Sequence, residues 1–187
     1  MAEAIDTFEP GDERPIKIFF QDEARFGRIC QPVKCWVPKG IRPIVPKQII
    51  RDFIYVYSAV CPWDGESFSL LYGNMDSECM SSFLNEFSRY YKDYRTIMIM
   101  DRAGCHNDKT VNQFENIRII KQVSRCPELN PVEHLWEHIK ENYLHNKYWE
   151  TLEGLEEDLC KALNLVFDDK YTIKSLTGFH WVIWKML

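Results

Sequence analysis

The chain has 187 residues, of which 45% are hydrophobic and 14% aromatic, so it has enough apolar content for one folded domain and too much for a disordered protein. Its formal net charge of −5 argues weakly against a nucleic-acid-binding protein. No apolar run approaches the roughly 20 residues of a membrane helix, and the acidic N-terminus argues against a signal peptide. The seven cysteines are scattered without a CxxC pair, which indicates reduced thiols in a cytoplasmic protein with no membrane partner.

The first part of the chain predicts a tail, a strand and an irregular arm. Residues 1–14 are polar, and we expect a loose tail there, followed by a single domain over residues 15–187. Ile16–Gln21 is a short run of β-branched and aromatic residues, which is typical of a central strand that ends at Asp22. Residues 25–51 contain four prolines and many basic side chains, which predicts an arm without long regular structure.

Strands and helices alternate in the rest of the chain. The Asp64-Gly65 turn between two apolar runs predicts an antiparallel hairpin, and Asp76 is a good N-cap for the next helix. This order of elements is typical of an α/β domain in which helices cover a mixed sheet. The predicted strands are Phe53–Cys61, Ser67–Tyr72, Ile97–Met100 and Ile117–Ile120, and the predicted helices are about Ser77–Tyr91, from Asn107 or Asp108 to Phe114, Asn130–Leu144 and a last one capped by Thr151.

Two predicted strands end in an aspartate, Asp22 after the first and Asp101 after Ile97–Met100. In open α/β sheets the active site lies at the carboxyl ends of strands, so both carboxylates would point into one crevice if the strands are parallel neighbours. A third carboxylate would complete a site for hard divalent cations, which prefer oxygen ligands. An aspartate at a strand end is by itself often only a turn residue, so the hypothesis depends on all three acids together.

The third acid is Glu133, near the start of a predicted helix. Asn130 is a good N-cap and Pro131 suits the first helical position, which places Glu133 in the first turn. Taken alone, Glu133 is a capping acid.

The segment Pro127-Glu128-Leu129-Asn130-Pro131-Val132-Glu133-His134-Leu135-Trp136 closely resembles the third-acid motif of DDE transposases of the mariner superfamily, and most of all the bacterial insertion-sequence six-thirty group. The segment Phe20-Gln21-Asp22-Glu23-Ala24-Arg25-Phe26 resembles the first-acid motif, and Met100-Asp101-Arg102-Ala103-Gly104-Cys105-His106 the second. The resemblance covers about residues 16–165 and implies an RNase H-like, retroviral-integrase-like fold.

The resemblance also implies an activity. Asp22, Asp101 and Glu133 would be catalytic ligands of two Mg²⁺ or Mn²⁺ ions. The enzyme would be a DNA endonuclease and strand transferase that acts at transposon ends and on target DNA, as a homodimer, and it would be nucleoid-associated in a bacterium. Arg102 departs from the family pattern, in which a small or amide residue is expected, and would alter metal affinity.

The helix-turn-helix region of the family is missing from this sequence, which would make it a separately encoded catalytic half, a truncation or a remnant. In the first case a separate helix-turn-helix protein would read the transposon ends. Two alternatives remain. One is an inactive or domesticated transposase remnant that binds DNA or protein. The other is a different RNase H-like nuclease, such as a junction resolvase, against which the Pro127–Glu133 motif argues.

The arm is strongly basic. Seven basic residues and no acid lie between Arg25 and Arg51, and such a segment can bind phosphates although the whole chain is acidic. A merely solvated loop is the alternative. His106 matches a histidine common in the family, and a structural role is its alternative. The candidate DNA-binding residues are Arg25, Arg28, Lys34, Trp36, Lys39, Arg42 and His106.

Overall fold

The computed structural model describes residues 2–30, 33–101, 114–122, 126 and 129–180. Five strands form one mixed sheet in the order β3-β2-β1-β4-β5, which confirms the predicted α/β class. The strands are β1 (Ile16–Cys30), β2 (Gln48–Cys61), β3 (Glu66–Tyr72), β4 (Arg95–Met100) and β5 (Ile117–Lys121). The helices are α1 (Ala2–Ile5), α2 (Ser77–Tyr90), α3 (Val132–Ile139) with a π-helical continuation over Lys140–Leu144, α4 (Leu152–Asp168) and α5 (Lys170–Thr177).

Helices cover both faces of the sheet. Successive residues of a strand point to opposite faces, so Phe19 and Phe20 of the central strand β1 enter different cores. Phe19 packs with Tyr57 and with α2, whereas Phe20 packs with residues of α3 and α4. The side of Phe20 also carries Ala24 and Phe26, which are buried in the same cluster.

Strand β1 is longer than the sequence indicated, because it has different partners along its length. It pairs in parallel with β4 only from Ile16 to Phe20, and then continues to Cys30 in antiparallel pairing with β2. Asp22 therefore lies inside β1 and not at its end. It lies just past the end of the pairing with β4.

The N-terminal segment differs from the expected loose tail. Residues Ala2–Ile5 form the short helix α1, and Phe8 is buried against Ile18 and Ile97. The guanidinium of Arg118 lies 4.4 Å from the centre of the Phe8 ring. Ile5 packs against the same cluster, and Arg118 donates hydrogen bonds to Thr7, so apolar and polar contacts together hold this segment against the sheet.

Residues 33–47 of the arm contain neither helix nor strand and are almost entirely exposed. The cap of α2 is as predicted, because Asp76 accepts hydrogen bonds from the backbone of Glu78 and Cys79 at 3.0 and 2.9 Å. The predicted short helix before Phe114 lies outside the described residues. Over the described ranges, no helix has both the length and the apolar character needed to cross a membrane.

Candidate active site

The parallel register of β1 and β4 brings the two aspartates to the same level. Phe20 of β1 is opposite Ile99 of β4; Asp22 follows two residues later within β1, and Asp101 follows directly after β4 ends at Met100. Neighbouring strands lie about 4.8 Å apart, and residues two apart point to the same face. Phe20 and Ile99 both pack in the core beneath α3, so the strand alternation directs the Asp22 carboxylate to the α3 side.

Helix α3 contacts Asp22 through a tryptophan. The indole Nε1 of Trp136 donates a hydrogen bond to Oδ2 of Asp22 at 2.8 Å. The Trp136 side chain is buried, and its ring meets that of Phe26 edge to face, with the centroids 5.9 Å apart. A buried indole N–H needs an acceptor, so a buried tryptophan signals a polar neighbour.

The start of α3 is fixed by Asn130 in two ways. Its Oδ1 accepts a hydrogen bond from the backbone N–H of Val132 at 3.2 Å, which confirms the predicted cap. Its Nδ2 donates to the main-chain carbonyl of Gln21 at 3.3 Å, so the cap is also tied to β1 next to Asp22. Pro131 has helical dihedral angles, as predicted for the first position.

The acids affect one another electrostatically. The pKa of Asp22 is raised from its ordinary value of 3.8 to about 7, mainly by burial and to a smaller extent by the negative charges of Glu133, Glu23 and Asp101, while the hydrogen bond from Trp136 opposes the shift. Glu133 lies exposed in the first turn of α3, one turn before Trp136. Glu133 and Asp101 are therefore close enough to Asp22 for their negative charges to raise its pKa.

The three acids do not form a closed ligand set. In the described parts of the chain, no three Asp, Glu, His or Cys side chains are close enough together to hold a metal ion. The donor chemistry nevertheless fits a hard divalent cation, because all three groups are carboxylates. A cation beside Asp22 would also offset the like charges that raise its pKa.

Neighbouring acids and histidines have other contacts. Glu23 faces away from Asp22 along β1 and accepts a hydrogen bond from Gln21 Nε2 at 3.1 Å. On α3, Glu137 lies 3.4 Å from His134 Nδ1, and the His134 ring packs against Phe179 with the centroids 4.9 Å apart.

The basic candidates are in two different environments. Lys34, Trp36, Lys39 and Arg42 are exposed to solvent, and exposed Arg25 lies over the Phe53 ring at 4.5 Å from its centroid.

Arg28 is instead engaged within the fold. It donates hydrogen bonds to the main-chain carbonyl of Trp149 at 3.2 and 3.1 Å and pairs with Asp52 at 3.4 Å. The sequence could not indicate these contacts, because the main acceptor is a backbone carbonyl 121 residues away. Arg102 and His106 lie outside the described residues.

Comparison with known proteins places this geometry in a family. The sequence profile described as DDE superfamily endonuclease matches residues 17–156. The chain is 31% identical over 128 residues to the uncharacterized protein y4pE/y4sA of Sinorhizobium fredii (strain NBRC 101917 / NGR234), a match that covers 68% of this chain and 95% of that protein.

Solved structures show the same fold. The Mos1 mariner paired end complex with Mn matches with a TM-score of 0.60 and 14% identity over 87% of this chain and 54% of that chain. The corresponding complex with Mg matches with a TM-score of 0.59 and 15% identity, over 87% of this chain and 53% of that chain. The Mos1 Strand Transfer Complex matches with a TM-score of 0.58 and 14% identity, over 88% of this chain and 55% of that chain. The chain thus spans about half the length of these solved chains, and the match confirms the expected RNase H-like fold.

Proposed function

Because the chain belongs to the DDE endonuclease superfamily, we propose that it is the catalytic domain of a transposase that cuts DNA at transposon ends and joins the freed ends to target DNA. The observation that carries the proposal is that Asp22 of β1 accepts a hydrogen bond from Trp136 of α3, the helix that carries Glu133, while β1 pairs in parallel with the strand that leads to Asp101. The matching solved structures, described as paired-end and strand-transfer complexes, support DNA as the substrate.

Asp22, Asp101 and Glu133 would hold two Mg²⁺ or Mn²⁺ ions. Bound metal would supply Lewis-acid activation of the attacking oxygen and charge neutralisation at the phosphate. In the first reaction the oxygen of water bonds to phosphorus and a DNA 3′-hydroxyl leaves. In the second, that 3′-hydroxyl attacks a phosphodiester of the target and displaces another 3′-hydroxyl, so no covalent bond to the protein is needed.

The exposed arm would contact DNA or a second copy of the chain. Lys34, Lys39 and Arg42 present positive charge to solvent, which suits phosphates, and Trp36 is fully exposed and available to stack on a base or pack on a partner. We propose a homodimer on DNA, in the cytoplasm, with transposon-end recognition supplied by a helix-turn-helix region or protein.

A second candidate is favoured by one observation. Within the described residues no three ligands are close enough together to hold an ion, as would be expected of a remnant that binds DNA or protein without cutting it. Both candidates predict DNA binding, so binding alone does not separate them.

A cleavage assay separates the two candidates. Wild-type protein and the Asp101→Ala variant are incubated with DNA in Mg²⁺, in Mn²⁺ and in chelator, and strand breaks are measured. The transposase proposal requires cutting that depends on both the metal and Asp101. If no cutting depends on both the metal and Asp101, the remnant is favoured. Cutting that persists in the variant or in chelator does not come from the proposed site.

A further inference from the structure

Helix α3 is tied to β1 on both sides of Glu133. Before it, Asn130 Nδ2 donates to the carbonyl of Gln21 at 3.3 Å, and after it, Trp136 Nε1 donates to Oδ2 of Asp22 at 2.8 Å. Each tie lies three residues from Glu133, which is about one turn of helix. Two successive residues of β1 thus hold the turns of α3 that carry the third acid.

This inference rests on the proposed function. We propose that Trp136 is a positioning residue, whose indole N–H holds the Asp22 carboxylate in one orientation and couples it to the helix that carries Glu133. A carboxylate rotates freely about its last torsion unless a partner fixes it. Carboxylates that bind metals are typically hydrogen-bonded by a surrounding group, and the loss of that group weakens metal binding.

Trp136 suits this role because its own position is fixed. Its ring is buried, contacts Phe26 edge to face, and lies between the buried side chains of Val132 and Ile139 on the same helix face. The indole is also neutral. It orients Asp22 without cancelling the negative charge that attracts a cation, whereas a lysine or arginine at the same place would compete with the cation.

The alternative is that Asp22 merely satisfies a buried indole. The chain contains a matched case. Trp149 is also buried, and its Nε1 donates to Oδ2 of Asp158 at 3.1 Å, where Lys147 also pairs with that carboxylate at 3.0 Å. Trp136→Phe and Trp149→Phe therefore remove the same type of bond, one at the proposed site and one away from it.

The test measures metal binding on the full chain without DNA. Mn²⁺ affinity is read from the electron paramagnetic resonance signal of the free ion. Trp136→Phe is expected to weaken it by about 10–100-fold, because a group that orients a ligand is lost. Trp149→Phe is expected to leave it unchanged. Circular dichroism checks that both variants are folded.

A second measurement needs no variant. Mg²⁺ is added to the wild-type protein, and the assigned indole N–H resonances of Trp136 and Trp149 are followed in the ¹H–¹⁵N spectrum. The resonance of Trp136 is expected to shift and that of Trp149 to stay in place. If Trp136→Phe does not fold, this titration decides, and a Trp136 resonance that does not move overturns the inference.

The outcomes distinguish the inference from the proposed function. If Trp136→Phe binds Mn²⁺ as tightly as the wild type while the wild type cuts DNA in a metal-dependent way, the positioning role is overturned and the function stands. If the wild type neither binds Mn²⁺ nor cuts, both are overturned.

Discussion

Arg28 binds the main-chain carbonyl of Trp149, and Gln48 binds the same carbonyl through its Nε2 at 2.6 Å. Arg28 lies near the end of β1 and Gln48 begins β2, so both ends of the arm converge on one residue of the loop before α4. Gln48 Oε1 also accepts from the backbone N–H of Trp149 at 3.3 Å, and the Gln48 side chain is buried. The base of the arm is thus anchored, while residues 33–47 project into solvent.

This anchor predicts that Arg28 and Lys39 affect different properties. Arg28→Ala is expected to lower the free energy of unfolding by about 1–3 kcal/mol, because the hydrogen bonds from the charged guanidinium to the Trp149 carbonyl are lost, although that carbonyl keeps its bond from Gln48. Lys39→Ala is expected to leave stability unchanged and to reduce the slope of log affinity for DNA against log salt by about 1. Urea denaturation and fluorescence anisotropy measure the two effects. Should Arg28→Ala reduce the salt slope without destabilising the fold, Arg28 would be a phosphate contact after all.

The two hydrogen bonds of Asn130 predict a difference between two substitutions. Serine keeps a cap for Val132 but is too short to reach Gln21, whereas alanine loses both bonds. Asn130→Ala is therefore expected to be less stable than Asn130→Ser by about 1 kcal/mol. Both are expected to reduce DNA cleavage to a similar extent, because both free the helix of Glu133 from β1. Wild-type cleavage by Asn130→Ser would show that this tie does not matter for activity.

The sequence predicted the acids and their elements because each signal is local. Asn130 and Pro131 specify the start of α3 through local capping, which does not depend on what the helix packs against. The apolar run before Asp101 likewise predicts a strand from its own residues. The resemblance to DDE transposases then indicated that the three acids act together, and the match of the endonuclease profile to residues 17–156 confirms the family.

The missed features depend on partners distant in sequence. The length of β1 follows from its pairing with β2, which the residues after Asp22 do not reveal by themselves. The indole of Trp136 donates to Asp22, which is 114 residues away in sequence. Arg28 donates to the backbone carbonyl of Trp149, which is 121 residues away. The burial of Phe8 was not predicted, because residues 1–14 are polar on average. Tertiary contacts of this kind override the local pattern.

The raised pKa of Asp22 predicts how stability depends on pH in metal-free protein. The folded-state pKa of about 7 exceeds the ordinary 3.8, so the folded state holds this proton more tightly than the unfolded state does. The corresponding stability is fully present below about pH 4 and is lost as the pH rises through about 7. Asp22→Asn stays neutral and can still accept from Trp136, so it is expected to be more stable than the wild type at about pH 8.

Asp158 provides the control of opposite sign. Lys147 and then the Trp149 indole lower the pKa of Asp158, so its contribution to stability is present above its ordinary pKa and is lost on acidification. Asp158→Asn is therefore expected to be less stable than the wild type near neutral pH. Urea unfolding in chelator at about pH 5 and about pH 8 measures both variants. A wild-type stability that does not fall between these pH values relative to Asp22→Asn would contradict the shift.

Glu133 and Glu137 form a matched pair for testing the third acid. Both are exposed on α3, one turn apart, and neutralising either should leave the fold intact. Glu133→Gln is expected to reduce metal-dependent cleavage by at least about 100-fold, because losing a direct ligand should cost more than losing a group that only orients one. It should also lower the pKa of Asp22, since one of the like charges that raise it is removed. Glu137→Gln loses only its contact with His134 at 3.4 Å, so cleavage and the Asp22 pKa should both stay as in the wild type.

Cleavage rates and a carboxyl-detected NMR titration of Asp22 measure this pair. The two readouts are independent, because the titration needs neither DNA nor metal. Cleavage lost equally in both variants would point to a general effect of charge on α3 rather than to a ligand. A lower Asp22 pKa in Glu133→Gln with unchanged cleavage would show that Glu133 lies beside the site without being part of it. Its role as the third acid is supported only if Glu133→Gln, and not Glu137→Gln, both loses cleavage and lowers the pKa of Asp22.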